Sequence, residues 1–132
     1  MQISGKVLSI DFSPYEASIQ FTDSNVNDIS SITVASSLST PLSELSVGQT
    51  FELDGFLWLG NIKDISESNS TYLRQPKGRN GTEGCGLVTD IIEDDIFVIE
   101  VNGVSIRLET ENDFNILKGN FVEFTAELHS EI

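Results

Sequence analysis

The sequence predicts a mainly β protein, a small antiparallel β-barrel or sandwich with one or two short helical turns. Three observations carry this. Residues 16–22, EASIQFT, alternate cleanly at a period of two, with Ala17, Ile19 and Phe21 against Glu16, Ser18 and Gln20. Asn102-Gly103 lies between two apolar runs and is the strongest short-range hairpin signal a sequence offers. The most apolar stretch, residues 48–60 (GQTFELDGFLWLG), also reads at a period of two, and a weaker copy returns at 119–128 (GNFVEFTAEL).

The first strand is expected over residues 3–12, with Leu8, Ile10 and Phe12 on one face and Gly5 permitting a bend or close packing. Ser13-Pro14-Tyr15 makes a turn, so the alternating run after it pairs back as a hairpin. Residues 23–28 are a polar loop, and Ile32 and Val34 mark a short third strand. Residues 40–48 suit a helical turn or two, with Thr40 as cap, Pro41 at the first helical position and Gly48 as a left-handed stop.

The next strand is the centre of the chain. Phe51, Leu53, Leu57 and Leu59 share one face; Glu52, Asp54, Phe56 and Trp58 share the other. In the later copy Val122, Phe124, Ala126 and Leu128 are set against Glu123, Thr125, Glu127 and Ser130. Where the later strand turns polar residues outward, the earlier one turns out Phe56 and the only tryptophan.

Residues 61–85 are polar and glycine-rich. A short strand is expected at Tyr72-Leu73, followed by a loose tip over 76–84. The last third is clearer: a strand over 86–92, a charged turn at Glu93-Asp94-Asp95, and a central strand over 96–101, apolar on both faces. After the Asn102-Gly103 turn, Val104, Ile106 and Leu108 alternate with Ser105, Arg107 and Glu109. Residues 112–118 are a second helical candidate, stopped by Gly119.

At 132 residues the chain reads as one compact domain. Half-units over 1–60 and 86–132 would be joined by the polar segment 61–85. Gly5-Lys6-Val7 then Ile10 matches Gly86-Leu87-Val88 then Ile91. Leu45, Gly48 and Phe51-Glu52-Leu53 match Ile116, Gly119 and Val122-Glu123-Phe124. The paired glycines stand 43 residues apart in the first copy and 33 in the second, so the first would carry loop insertions. Such short glycine patterns suit any β protein, and chance similarity is the plain alternative. The order of strands, helical turn and late strand resembles small β-barrels of the OB or SH3-like kind, a likeness of architecture that many functions share.

The net charge of −14 is unevenly spread. Residues 1–60 hold seven acids and one base, 86–132 hold eleven and two, while 61–85 hold three acids and four bases. An acidic surface repels phosphate backbones and steers cationic partners inward, so nucleic acid is disfavoured as a ligand. Charge kept for solubility alone is the bland alternative. No run approaches the roughly 18–20 apolar residues of a membrane helix. The N-terminus reads as a strand, without the features of a secretory leader, and the lone Cys85 cannot form an internal disulfide. A cytoplasmic protein is expected, with the Asn-x-Thr sequons at Asn69 and Asn80 accidental.

The chemistry-bearing residues are few. Cys85 and His129 would make a nucleophile only if they met, and Cys85 between two glycines better suits a small buried residue. Glu93-Asp94-Asp95 could gather a loosely held cation, but reads more simply as a solvated turn, so no metal or cofactor is expected. Arg74, Lys77 and Arg79, among glycines, form the one cationic patch and a candidate anion-contacting loop. They lack the strand-before, helix-after context of a phosphate cradle. Phe56 and Trp58 are expected to be buried between the half-units or under the 60–85 segment, since exposed aromatic patches invite aggregation unless a partner covers them; exposed, and rimmed by Glu52 and Asp54, they would anchor a cationic protein surface.

The function expected is non-enzymatic binding. An inhibitor or toxin-neutralising immunity protein would occlude a basic protein partner through Phe56, Trp58, Glu52 and Asp54, helped by Asp90, Glu93, Asp94, Asp95, Glu109 and Glu111. A β-barrel adaptor or homodimer that uses Phe56 and Trp58 as its own interface is the first alternative. An oligonucleotide-binding barrel, opposed by the charge, is the second.

Overall fold

The computed structural model describes residues 2–12, 16–21, 32–37, 48, 50–76, 81–111 and 115–130, with side chains described at Gly48 and from Asp54 onward within those ranges. Among the described residues nine strands follow one another: β1 (Gln2–Phe12), β2 (Glu16–Phe21), β3 (Ile32–Ser37), β4 (Thr50–Ser66), β5 (Tyr72–Arg74), β6 (Gly81–Glu93), β7 (Ile96–Val101), β8 (Val104–Thr110) and β9 (Phe121–Ser130). The mainly β reading holds, and the arrangement is a barrel. β6, β7, β8, β4 and β9 pair in that order and β9 returns to β6, closing five strands on themselves. β5 adds to the outer edge of β6.

A second cycle of pairings runs β1–β2–β3–β9–β4 and back to β1. β4 and β9 therefore belong to both cycles. β4 is long enough for this, because its first five residues pair with β1 and the remainder with β9. Two seams are parallel, β4 with β8 and β3 with β9; every other pairing is antiparallel. The two cycles share registers. Gly5 stands opposite Phe51, and Gly86 opposite Val122. A register shift falls between Val7 and Ser9 against β2, and another between Val88 and Asp90 against β7. Leu57 and Leu128 face each other on the shared β4–β9 pair.

Alternation builds the core. Leu57, Val88, Phe97, Ile99, Val101, Ile106, Leu108, Val122, Phe124 and Leu128 point into the barrel and are at most 5 % exposed. Each such side chain stabilises the fold by roughly 1.5–3 kcal/mol relative to exposure. Gly86 leaves room for Ile99, three of whose atoms would lie 2.8, 2.9 and 3.1 Å from any Cβ placed there. The Asn102-Gly103 turn has φ of 51° and 85°, the left-handed pair a mirror-type hairpin requires.

Several expectations are corrected. Leu59 does not share the inward face of Leu57: β4 shifts register against both neighbours between residues 57 and 61, Leu59 takes φ 53°, and its side chain is 37 % exposed. Ser130 belongs to the buried face with Val122 and Leu128 and is 2 % exposed. The segment 61–85 is largely strand: β4 continues to Ser66, β5 forms at Tyr72 as expected, and β6 starts at Gly81, inside the supposed loose tip. Residues 77–80 of that tip lie outside the described residues, as do 40–47 of the first helical candidate, although Gly48 has the expected positive φ of 87°. Of the second candidate, residues 115–118 are not helical. Asn120 N–H donates to the Leu117 carbonyl at 3.1 Å, and Gly119, φ 89°, sits in that turn. Val88 and the turn exchange two backbone bonds, Gly119 N–H to Val88 O at 2.9 Å and Val88 N–H to Asn120 O at 2.8 Å, which dock the turn on β6.

Candidate functional site

The outer face of β8, β4 and β9 carries the aromatic residues. Phe56 and Trp58 project outward from β4 while Leu57 between them is fully buried. Antiparallel pairing sets His129 of β9 opposite Phe56 and Glu127 opposite Trp58. On the other side, the parallel seam with β8 brings up Arg107 and Glu109 from its outward positions. Strand periodicity thus assembles side chains that lie far apart in sequence.

Their contacts are specific. Trp58 meets His129 edge-on, with ring centroids 4.9 Å apart and planes at 82°. Phe56 lies 6.2 Å from the same imidazole. His129 Nε2 is 2.8 Å from Glu127 Oε2. The Arg107 guanidinium sits 4.6 Å over the Phe56 ring, and its Nε is 3.3 Å from Glu109 Oε2. A cation over an aromatic face with a carboxylate beside it is doubly held. Trp58 is 44 % exposed, against the expectation of burial, and Phe56 is half-buried. The register sets the neighbours of Trp58 on β9, which are Glu127 opposite and His129 two residues further on.

The acidic residues divide. Thr110 N–H donates to the Asp95 carbonyl at 2.8 Å, and Glu111 N–H to the Gly60 carbonyl at 3.0 Å. These bonds draw Glu93, Asp94 and Asp95 toward Glu109 and Glu111 at the end of the barrel where β4 bulges beyond Trp58. Asp54 is exposed on β4, two residues before Phe56. Asp90 sits apart, 3.4 Å from Lys118 Nζ. The side chain of Glu52 is outside the described residues, although its backbone pairs with Ser4.

Arg74 is not a free cationic tip. It pairs with Glu83 and lies 5.1 Å over the Tyr72 ring. Lys77 and Arg79 fall outside the described residues. Cys85 is fully buried opposite Glu123, six positions along β9 from His129, a separation of roughly 20 Å at strand rise. Burial first, then the Glu123 and Asp64 carboxylates, push its thiol pKa up, so the thiolate a nucleophile needs is disfavoured. Tyr72, outside the same strands, is likewise pushed up by burial and by Glu123, with Arg74 acting in the opposite sense. Among the described residues, no three acidic, histidine or cysteine side chains converge as metal ligands, and no helix is long and apolar enough to cross a membrane.

No known protein family, curated protein or solved structure matches this chain. Sequence reading missed Arg107 and His129 as members of the aromatic face. Both occupy outward positions of alternating strands, which is the signal available; which strands lie on either side of β4 is not encoded in alternation.

Proposed function

We propose that this chain is a non-enzymatic, acidic binding protein of the inhibitor or immunity type, which covers a functional surface on a basic protein. The observation that carries the reading is the half-exposed Trp58 on a strand-borne face, opposite Glu127 of β9, with Glu109 on the neighbouring strand β8. Aromatic anchors supply most of the binding energy in such interfaces. Surrounding carboxylates raise the association rate and reject acidic surfaces. The net charge of −14 acts in the same direction and against a nucleic-acid ligand.

The test is capture of partners from the native host's lysate at low and high salt, with Trp58→Ala in parallel. A single basic protein retained at low salt, lost in the variant and inhibited by the purified chain, is the expected result. Recovery of only the protein itself, with mass rising with concentration, would replace this reading with the homo-oligomeric one. We place the protein in the cytoplasm, on the strength of its single cysteine. The matched registers of Gly5 with Phe51 and Gly86 with Val122 support a duplicated half-unit as the origin of the fold.

A further inference from the structure

Two arginines on this surface are held in the same way. Arg74 stacks over Tyr72 and pairs with Glu83; Arg107 stacks over Phe56 and pairs with Glu109. In each case a ring and a carboxylate on neighbouring strand positions form a seat for one guanidinium. A third ring and carboxylate of the same kind stand on the outer face of β4 and β9. Trp58 and Glu127 are direct cross-strand partners; Trp58 is exposed and the Glu127 side chain is half-exposed. Here the residue between ring and carboxylate is an imidazole, His129, only 13 % exposed and bonded to Glu127 Oε2. It touches both, 4.9 Å centroid to centroid from the Trp58 ring and 2.8 Å from Glu127 Oε2.

We infer that Trp58 and Glu127 form a docking site for an arginine side chain of the basic partner. This rests on the binding reading above and names the group recognised. Trp is the best aromatic acceptor for a cation. A carboxylate keeps acceptor capacity after one bond, and the imidazole occupies only one of its oxygens. A guanidinium can stack flat on the indole while its planar fork reaches the carboxylate; an ammonium cannot do both. His129 prearranges the seat, so little ordering is left to the incoming side chain.

Trp58 is the only tryptophan, so its emission reports the site directly. The unaltered protein is titrated at low salt with hexa-arginine, hexa-lysine and hexa-citrulline peptides. The expected result is a Trp58 emission change with hexa-arginine, at an affinity about 3- to 30-fold above hexa-lysine, the span of one stacked, paired cation. Hexa-citrulline, which keeps the shape and loses the charge, should give no change. Glu127→Gln should bring hexa-arginine down to the hexa-lysine affinity, while Glu67→Gln, an exposed carboxylate beyond the end of β4, should leave the preference intact.

Equal binding of the arginine and lysine peptides, untouched by Glu127→Gln, would overturn the docking site and leave recognition of charge alone. If neither basic peptide binds at low salt, the basic-partner reading falls with it. The arginine–lysine comparison needs no variant, so misfolding of Glu127→Gln would not shelter the inference.

Discussion

Gly84→Ala tests how β5 is laid on the barrel. A Cβ at Gly84 would stand 2.5 Å from the Tyr72 carbonyl oxygen, 2.9 Å from Leu73 Cδ1 and 3.1 Å from Phe124 Cζ. Ordinary carbon–oxygen contacts begin near ~3.3 Å, so the Tyr72 backbone must retreat by about 0.8 Å. Overpacking of this order costs roughly 1–3 kcal/mol, offset by about 0.4–1 kcal/mol from the stiffer unfolded chain. If β5 lifts away entirely, Leu73, now 1 % exposed, is also released, at roughly 1.5–3 kcal/mol more. The expected net loss is therefore about 0–3 kcal/mol with β5 in place and about 1.5–6 kcal/mol if it lifts away. Urea unfolding followed by far-UV circular dichroism measures it. Gly81→Ala, where a Cβ meets nothing within 4 Å, is the matched control and should stay within about 0.5 kcal/mol of the parent. Coincident midpoints for the two variants would refute the packing of β5 against Gly84.

Stability should also fall in alkali. The Cys85 thiol, ordinarily near 9.0, and the Tyr72 phenol, ordinarily near 10.0, are both raised in the fold. The folded state thus keeps protons that the unfolded state has already lost, and stability present below about pH 9 declines as pH rises toward the folded values. Unfolding midpoints from pH 7 to 10.5 should show this decline, and Cys85→Ala should remove its earlier part. A flat profile in the parent would contradict the burial of both groups. At the β7–β8 turn, Asn102 combines φ 51° with two bonds to Thr71, donating its N–H to Thr71 Oγ1 at 3.0 Å and accepting from that hydroxyl at 3.2 Å. Asn102→Ala should cost about 1–2 kcal/mol, and Asn102→Gly less, because glycine keeps the turn and loses only the side-chain bond.

Much of the barrel was legible because its strands are half-buried. Alternation in residues 104–109 and 121–128 named the inward residues, and Asn102-Gly103 fixed the hairpin between β7 and β8. Strands rich in polar residues were shortened: β4 beyond Gly60 and β6 before Gly86 carry Asn61, Lys63, Asp64 and Glu83, which read as loop when the apolar residues between them are few or small. The bulge at Leu59 was hidden for a different reason. A single added residue reverses the facing of every later position in its strand, and a leucine at positive φ announces nothing. Trp58 as a surface residue was within reach of the pattern. His129, Glu127 and Arg107 around it were not, because they arrive through the β4–β9 and β4–β8 registers.

Sharing β4 and β9 between two cycles of strands has a consequence for the order in which the molecule can form. Both cycles need β9, the last of the nine strands, so neither can close before residue 130 has been made. Up to that moment β3, β6 and one side of β4 present unpaired backbone, the condition that invites edge-to-edge association. Once β9 docks, it satisfies β3, β4 and β6 in a single event. Folding is therefore one late, long-range, cooperative step rather than two successive ones, slow in the manner of high-contact-order β proteins. A chain cut between β4 and β5 would leave the first piece without β9 and the second without β4, so neither cycle could close within one piece.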